Sequence, residues 1–170
     1  MVVRERGFTL IELLVVIAVI GILAAVAAVG LGRSHRAANE ASAIASLRAI
    51  RSAEDAFRAV CGHDTSYAVS LPQLGQADVI TPNLAESDVV GKSGYLITLT
   101  GPADQAAPDA CTGRPTATSW YASAVPIRPG FSGSRGFAID QASGIWQNTD
   151  GTAPPAPFAP GPSISSLHQN

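Results

Sequence analysis

Charge is the scarcest property of this sequence. Acidic and basic residues make up only 14% of its 170 residues, and 13 acidic against 11 basic side chains leave a net charge of -2. Without a positive excess the protein has no field that would hold a polyanion, so nucleic acid is not predicted as a partner. A chain of this length accommodates one ordinary domain plus an appendage, which excludes a large multidomain enzyme.

The sequence also lacks the motifs of catalysis. It contains no GxSxG nucleophile motif, no Walker A or dinucleotide-binding motif and no CxxC pair. Its three histidines are scattered and have no metal-ligand spacing: His35, His63 and His168. We therefore predict that the protein is not an enzyme, and that energy for any movement comes from a partner ATPase.

Uninterrupted apolar sequence is present where charge is missing. Residues 13–32 read LLVVIAVIGILAAVAAVGLG and contain no charged side chain. About 20 such residues suffice to cross the ~30 Å hydrocarbon core of a bilayer, so this stretch predicts a membrane span. Arg4 and Arg6 precede it and favour a cytoplasmic N-terminus, although Arg33 and Arg36 beyond its other end weaken that asymmetry.

A cleaved secretory signal is the alternative interpretation of this segment. The apolar run is longer than the ~7–15 residues of an ordinary signal, and an acidic residue, Glu12, stands at its entrance. A carboxylate at a helix centre in hydrocarbon costs about 2.5–3.5 kcal/mol, and less near an interface. Glu12 therefore either stays hydrated at the interface or has a partner on another molecule, because residues 13–32 offer no cation.

The segment around Glu12 resembles a known processing signal. Residues 6–14, RGFTLIELL, are similar to the cleavage and methylation signature of type IV prepilins and of the pseudopilins of type II secretion. The resemblance implies cleavage between Gly7 and Phe8 and N-methylation of Phe8. It also implies that Glu12 pairs with the N-terminal amine of a neighbouring subunit during assembly.

The resemblance implies an α+β pilin fold, in which a long N-terminal helix packs on a small antiparallel β-sheet head. We assign residues 1–7 to the leader, 8–32 to the membrane-spanning and filament-core half of the helix, and 33–61 to its amphipathic half. A globular β head then covers residues 62–150, and a Pro-rich tail covers residues 151–170.

Helical spacing supports a continuous helix from near Phe8 to Val60, about 80 Å long at 1.5 Å per residue. Gly62 is its expected stop. Apolar residues recur three or four positions apart, or at multiples of these, and form the predicted buried face: Ile44, Leu47, Ile50, Phe57 and Val60. Charged residues of alternating sign form the predicted solvated face: Arg48, Arg51, Glu54, Asp55 and Arg58.

Beyond Gly62 the helical period gives way to short β-rich runs. We predict strands over residues 95–100, 119–126, 136–140 and 145–147, with the last two joined as a hairpin through residues 140–144. A short helical turn is expected at residues 71–74. Aromatic and aliphatic side chains would pack the sheet on the helix: Tyr95, Ile97, Trp120, Phe137 and Trp146.

The remaining features concern the head and its tail. Cys61 and Cys111 lie in the part predicted to be exported, where oxidising conditions let a disulfide persist. We predict no cofactor, because the sequence contains no dense carboxylate loop of the EF-hand type. Some pseudopilin heads bind calcium, so the resemblance leaves that ion as an alternative, with Asp64, Asp140 and Asp150 as oxygen donors. The tail is expected to stay out of the sheet, as a flexible segment or as a strap across the head.

Together these features predict a structural subunit of a type IV pilus. Its implied partners are copies of itself, a prepilin peptidase and methyltransferase, membrane lipid before assembly, and an inner-membrane assembly platform with its ATPase. Its expected location is the inner membrane as a single-pass precursor, then an extracellular pilus or a periplasmic pseudopilus. A pseudopilin of type II secretion and a signal-anchored envelope enzyme or binding protein remain the alternatives.

Overall fold

A computed structural model of the protein describes residues 7–102, 110–111 and 113–167. These residues form a long helix, α1 (Leu10–Val60), a short helix, α2 (Leu71–Gln76), and a 3₁₀ turn over Pro82–Leu84. Six strands follow within the described segments: β1 (Val89–Lys92), β2 (Tyr95–Thr100), β3 (Tyr121–Pro126), β4 (Gly136–Asp140), β5 (Trp146–Asn148) and β6 (Ile164–Ser166).

The chain divides into two compact units, Met1–His35 and Arg36–Asn170. In the described part of the first unit, α1 begins at Leu10 and carries large apolar side chains that are exposed, such as Ile11, Ile17 and Leu23. The membrane span predicted over residues 13–32 is not confirmed, because no helix in the described segments is both long and apolar enough to cross a bilayer.

The second unit, hereafter the head unit, is built on an antiparallel meander. Each strand pairs with its neighbour along the chain, in the order β1-β2-β3-β4-β5-β6. The predicted α+β arrangement of a long helix packed on a small antiparallel sheet is therefore confirmed. The β4–β5 hairpin is also confirmed: Phe137 pairs with Gln147, and Asp140 Oδ1 accepts the amide protons of the turn residues Ala142 and Ser143.

One face of α1 closes the core of the head unit. Leu47, Ile50 and Phe57 are buried in one cluster with the sheet residues Ile97 and Phe137. The predicted apolar spacing is thus correct for these positions, but Val60 at the end of the helix is 71% exposed and does not join them. Beyond Val60 the chain turns sharply, and a side chain at Gly62 would collide with the Ser66 carbonyl, so only glycine fits there.

The tail crosses the outer face of the sheet, and its residues 152–158 form a strap there. The Tyr121 hydroxyl donates to the Pro154 carbonyl at 2.6 Å, and the Phe158 ring lies 6.0 Å from the Tyr121 ring and 5.6 Å from the Trp146 ring. A side chain at Gly136 would collide with the Thr152 carbonyl, so the strap runs directly over β4. Trp146 therefore packs on the strap, and the prediction that it packs between sheet and helix is wrong.

Two strands escaped sequence analysis. β1 has a single buried residue, Val90, and β6 lies within the segment that was expected to remain outside the sheet. β6 pairs with β5 through Trp146 and Ser166, so the prediction that the whole tail stays out of the sheet is wrong for residues 164–166. Proline lacks the amide donor that a β-ladder needs, and these three residues include no proline.

Candidate processing and assembly site

The start of α1 is a reciprocal hydrogen-bonded cap between Thr9 and Glu12. The Thr9 amide and hydroxyl donate to Glu12 Oε2 at 3.1 and 2.9 Å, and the Glu12 amide donates to Thr9 Oγ1 at 3.3 Å. This is a capping box, which satisfies backbone donors that have no partner within the helix. Thr9 is the residue that sequence analysis missed, although its spacing of three before a Glu was the signal that identifies it.

The cap uses only part of the Glu12 carboxylate. Both Thr9 donors bind Oε2, whereas Oε1 accepts no hydrogen bond from the residues that the structure describes. Within the same residues, Glu12 forms no ion pair. Arg4 and Arg6, the nearest cations in sequence, lie outside the described residues. One carboxylate oxygen therefore faces away from the cap and can accept a further donor.

The predicted cleavage position lies just before this cap. Gly7 and Phe8 precede the helix outside any regular element, and Phe8 is 81% exposed. A β-carbon at Gly7 would meet no atom of the described residues within 4 Å. The structure thus places Gly7, Phe8 and Glu12 in one short segment at the helix N-terminus.

The other predicted pair lies in the head unit. Cys61 and Cys111 form a disulfide with a Cα–Cα distance of 4.7 Å, and the Cys111 amide donates to the Cys61 carbonyl at 3.3 Å. The bond closes a loop with a sequence separation of 50 residues. It ties the chain segment just after α1 to the connection between β2 and β3.

Two carboxylates of α1 are buried in the head unit, and sequence analysis identified neither as buried. Glu40 accepts the Ser134 amide and the Arg135 guanidinium, both at 2.9 Å. Burial opposes ionisation of Glu40, but the Ser134 and Arg135 hydrogen bonds outweigh it and hold the pKa of Glu40 below its ordinary value. This ion pair joins α1 to the start of β4.

Glu54 is the second buried carboxylate, and its predicted place on the solvated face is wrong. It is fully buried, and its Oε2 accepts the Ala68 amide at 3.0 Å. Burial, with a smaller contribution from the charge of Asp55, raises the pKa of Glu54 to about 8. Its Oε1 and the buried Trp120 Nε1 have no hydrogen-bond partner among the described residues.

Metal-binding clusters are the remaining kind of site that the described residues could form. Those residues include no group of three or more His, Cys, Asp or Glu side chains that could hold a metal ion. Of the aspartates named for calcium, Asp140 uses Oδ1 to cap the β4–β5 turn. Asp64 is exposed in the turn after α1, with a positive φ of 61°. His168 lies outside the described residues.

The segment that contains the Thr9–Glu12 cap also matches a known family motif. Residues 3–28 match the family described as the prokaryotic N-terminal methylation motif. The chain therefore carries the prepilin-type, class III signal of type IV pilins and pseudopilins. Such a motif implies processing by a prepilin peptidase. No curated protein and no solved structure matches the chain.

Proposed function

We propose that the protein is a structural subunit of a type IV pilus, stored as a membrane-anchored precursor and polymerised through α1. The observation that carries this proposal is the prepilin-type motif at residues 3–28, in which Glu12 offers a carboxylate oxygen beyond its own cap. Cleavage between Gly7 and Phe8 creates a new amine on Phe8, one residue before the cap. That amine, on a neighbouring subunit, supplies a cation for Glu12, which forms no ion pair within the described residues.

The exposed apolar side chains of the first unit also support the proposal. Leu10, Leu13, Ile17 and Leu23 are all more than half exposed, and a contiguous apolar surface of this kind is unfavourable in water. Lipid covers such a surface before assembly, and neighbouring helices cover it in a fibre. While both states are apolar, the hydrophobic effect does not choose between them, so close packing and the desolvated ion pair favour the fibre.

The experiment separates the charge of Glu12 from its capping role. Glu12→Gln keeps an oxygen for the Thr9 donors but removes the charge, whereas Thr9→Ala removes two of the three hydrogen bonds of the cap and keeps the charge. We expect Glu12→Gln and Glu12→Ala to lower fibre yield by about tenfold or more, because a desolvated amine loses its only counter-ion. Thr9→Ala should retain most of the yield.

The control is the amount of each variant in the membrane fraction, which should stay unchanged because residues 13–32 are intact in all three. Normal fibre yield from Glu12→Gln would refute the assigned role of the charge. The same motif marks the pseudopilins of type II secretion, and the location of the fibre, at the cell surface or in the periplasm, distinguishes the two.

A further inference from the structure

The loop between β3 and β4 presents an aromatic side chain to solvent. Phe131 is 83% exposed, the most exposed large apolar side chain in the described residues, and the neighbouring Ile127 is 50% exposed. Leaving a phenylalanine in water forgoes roughly 150–250 Å² of apolar burial. A residue of this kind at a rigid, exposed tip is typical of an anchor that another surface covers.

The loop that carries Phe131 is held in one conformation. The Gly130 amide donates to the Gly133 carbonyl at 2.8 Å, and the Ser132 amide donates to the Arg128 carbonyl at 2.9 Å. The Asn39 side chain donates to the Ser132 carbonyl at 2.8 Å, which fixes the loop on α1. Because the loop is already ordered, little conformational entropy is lost when Phe131 docks.

A matching depression lies on the same unit, between α2 and the 3₁₀ turn. Its volume is about 320 Å³, and it is lined mainly by Pro72, Gly75, Ile80, Pro82 and Ala85, together with Asp78. α2 is in close contact with the residue that follows the 3₁₀ turn, because a side chain at Gly75 would collide with the Ala85 side chain. An apolar hollow of this kind suits an aromatic ring.

The charges around the two surfaces are complementary. Residues 127–135 contain two arginines and no acidic residue, and Arg135 is already paired with Glu40, so Arg128 is the charge that the loop offers. Residues 75–88 contain three acidic residues and no basic one: Asp78, Glu86 and Asp88. Docking of Phe131 in the hollow would therefore bring Arg128 towards carboxylates.

The two surfaces lie at opposite ends of the head unit. The loop contacts α1 at Arg36 and Asn39, near the start of β2, where the Tyr95 hydroxyl donates to the Arg135 carbonyl. The hollow belongs to the segment after the end of α1, where the Gly101 amide beyond β2 donates to the Val69 carbonyl. From Asn39 to Val60 the helix rises about 30 Å. One molecule therefore cannot satisfy both surfaces by itself.

We propose that Phe131 of one copy docks in the hollow between α2 and the 3₁₀ turn of a second copy, with Arg128 facing Asp78. The contact joins unlike surfaces, and repetition of such a contact produces an open, linear assembly. The inference rests on the proposed pilus function: helix packing brings the heads to high effective concentration, and this contact sets their longitudinal register.

Thiol cross-linking in fibres of the full-length protein tests the contact. Cys61 and Cys111 are joined, so introduced cysteines are the only free thiols. We expect Ile127→Cys combined with Gln76→Cys, two positions beside the proposed contact that leave Phe131 in place, to give a ladder of dimers, trimers and higher multimers with a short thiol-specific cross-linker. Ile127→Cys combined with Thr149→Cys, a pair at the loop end of the unit, should give several-fold less cross-linking.

A double-mutant cycle tests the charge pair independently of new thiols. Arg128→Gln and Asp78→Asn should each lower the temperature at which fibres release subunits, and the double variant should lower it no further. Asparagine suits the positive φ of 56° at position 78, so the substitution does not strain the turn. Intact fibres with control-level cross-linking and additive effects would overturn the head contact alone. Absence of the wild-type protein from all fibres would overturn the proposed function as well.

Discussion

Glu54 is a charged residue type that occupies a buried position of α1. It follows Leu47 and Ile50 and precedes Phe57 at spacings of three and four, which are the spacings of the buried stripe. Its charge argued for the solvated face, but the Ala68 amide, which the chain brings back 14 residues later, supplies a partner inside the core. The spacing alone is that of the buried stripe, so the prediction of a solvated Glu54 was wrong because it followed the charge, and the long-range donor that makes burial possible was beyond sequence analysis.

Burial of Glu54 makes the stability of the head unit depend on pH. The folded pKa of about 8 exceeds the ordinary 4.5, so the folded form holds the proton between these values while the unfolded chain releases it. The contribution of Glu54 to the free energy of unfolding is therefore fully present below about pH 4.5 and is lost as the pH rises towards 8. Glu40 acts in the opposite sense. Its lowered pKa contributes stability that is fully present above about pH 4.5 and is lost as the pH falls through the lowered pKa.

Glu54→Gln should remove the alkaline loss, because glutamine has the shape of the protonated acid. We expect the free energy of unfolding at pH 8.5 to rise by on the order of a few kcal/mol relative to wild type, and to change little near pH 5. Both tryptophans lie in the head unit, so their fluorescence during denaturant unfolding reports on it. Identical pH profiles for the two proteins would show that Glu54 titrates normally in the fold.

At the scale of elements, the strands that sequence analysis predicted are those that contain several β-branched or aromatic residues. β2 and β4 each combine several β-branched or aromatic residues and were predicted with their observed bounds. β1 is a four-residue edge strand containing glycine and lysine, and β6 has three residues after a proline-rich run. Such short strands form because they pair with a neighbouring strand. Their own residues are too few to show an alternating apolar pattern, so the sequence does not reveal them.

The disulfide is the element-scale device with the clearest test. It links the end of α1 to a segment 50 residues away, and loop closure of that size contributes roughly 4 kcal/mol in the chain-entropy account. Reduction should lower the unfolding midpoint of the head unit by several degrees, measured by tryptophan fluorescence, while the helical signal of the first unit changes less. The double variant Cys61→Ser with Cys111→Ser is the control and should not respond to reductant.

If wild type and this control unfold at the same temperature, with and without reductant, the cross-link contributes no stability. The strap offers an internal comparison within the same experiment. Phe158 stacks on Trp146 and contacts the tilted Tyr121 ring without any covalent link, so its contribution to stability is unaffected by reductant.

At the scale of the whole molecule, three features support the proposed fibre. The first unit exposes apolar side chains along α1, and the head unit exposes Phe131 at a rigid tip. The Thr9–Glu12 cap leaves one carboxylate oxygen unused by the described residues. In the proposed fibre each of the three features gains by association with another copy, through burial in the first two cases and through an ion pair in the third.

The most direct measurement is the mass of the N-terminal peptide of this protein from isolated cell-surface fibres. The account predicts that the peptide begins at Phe8 and carries an N-methyl group, because cleavage after Gly7 releases the amine that Glu12 of the next subunit binds. A peptide that still contains residues 1–7, a chain cut near Ala27, or absence of the protein from every fibre would contradict it.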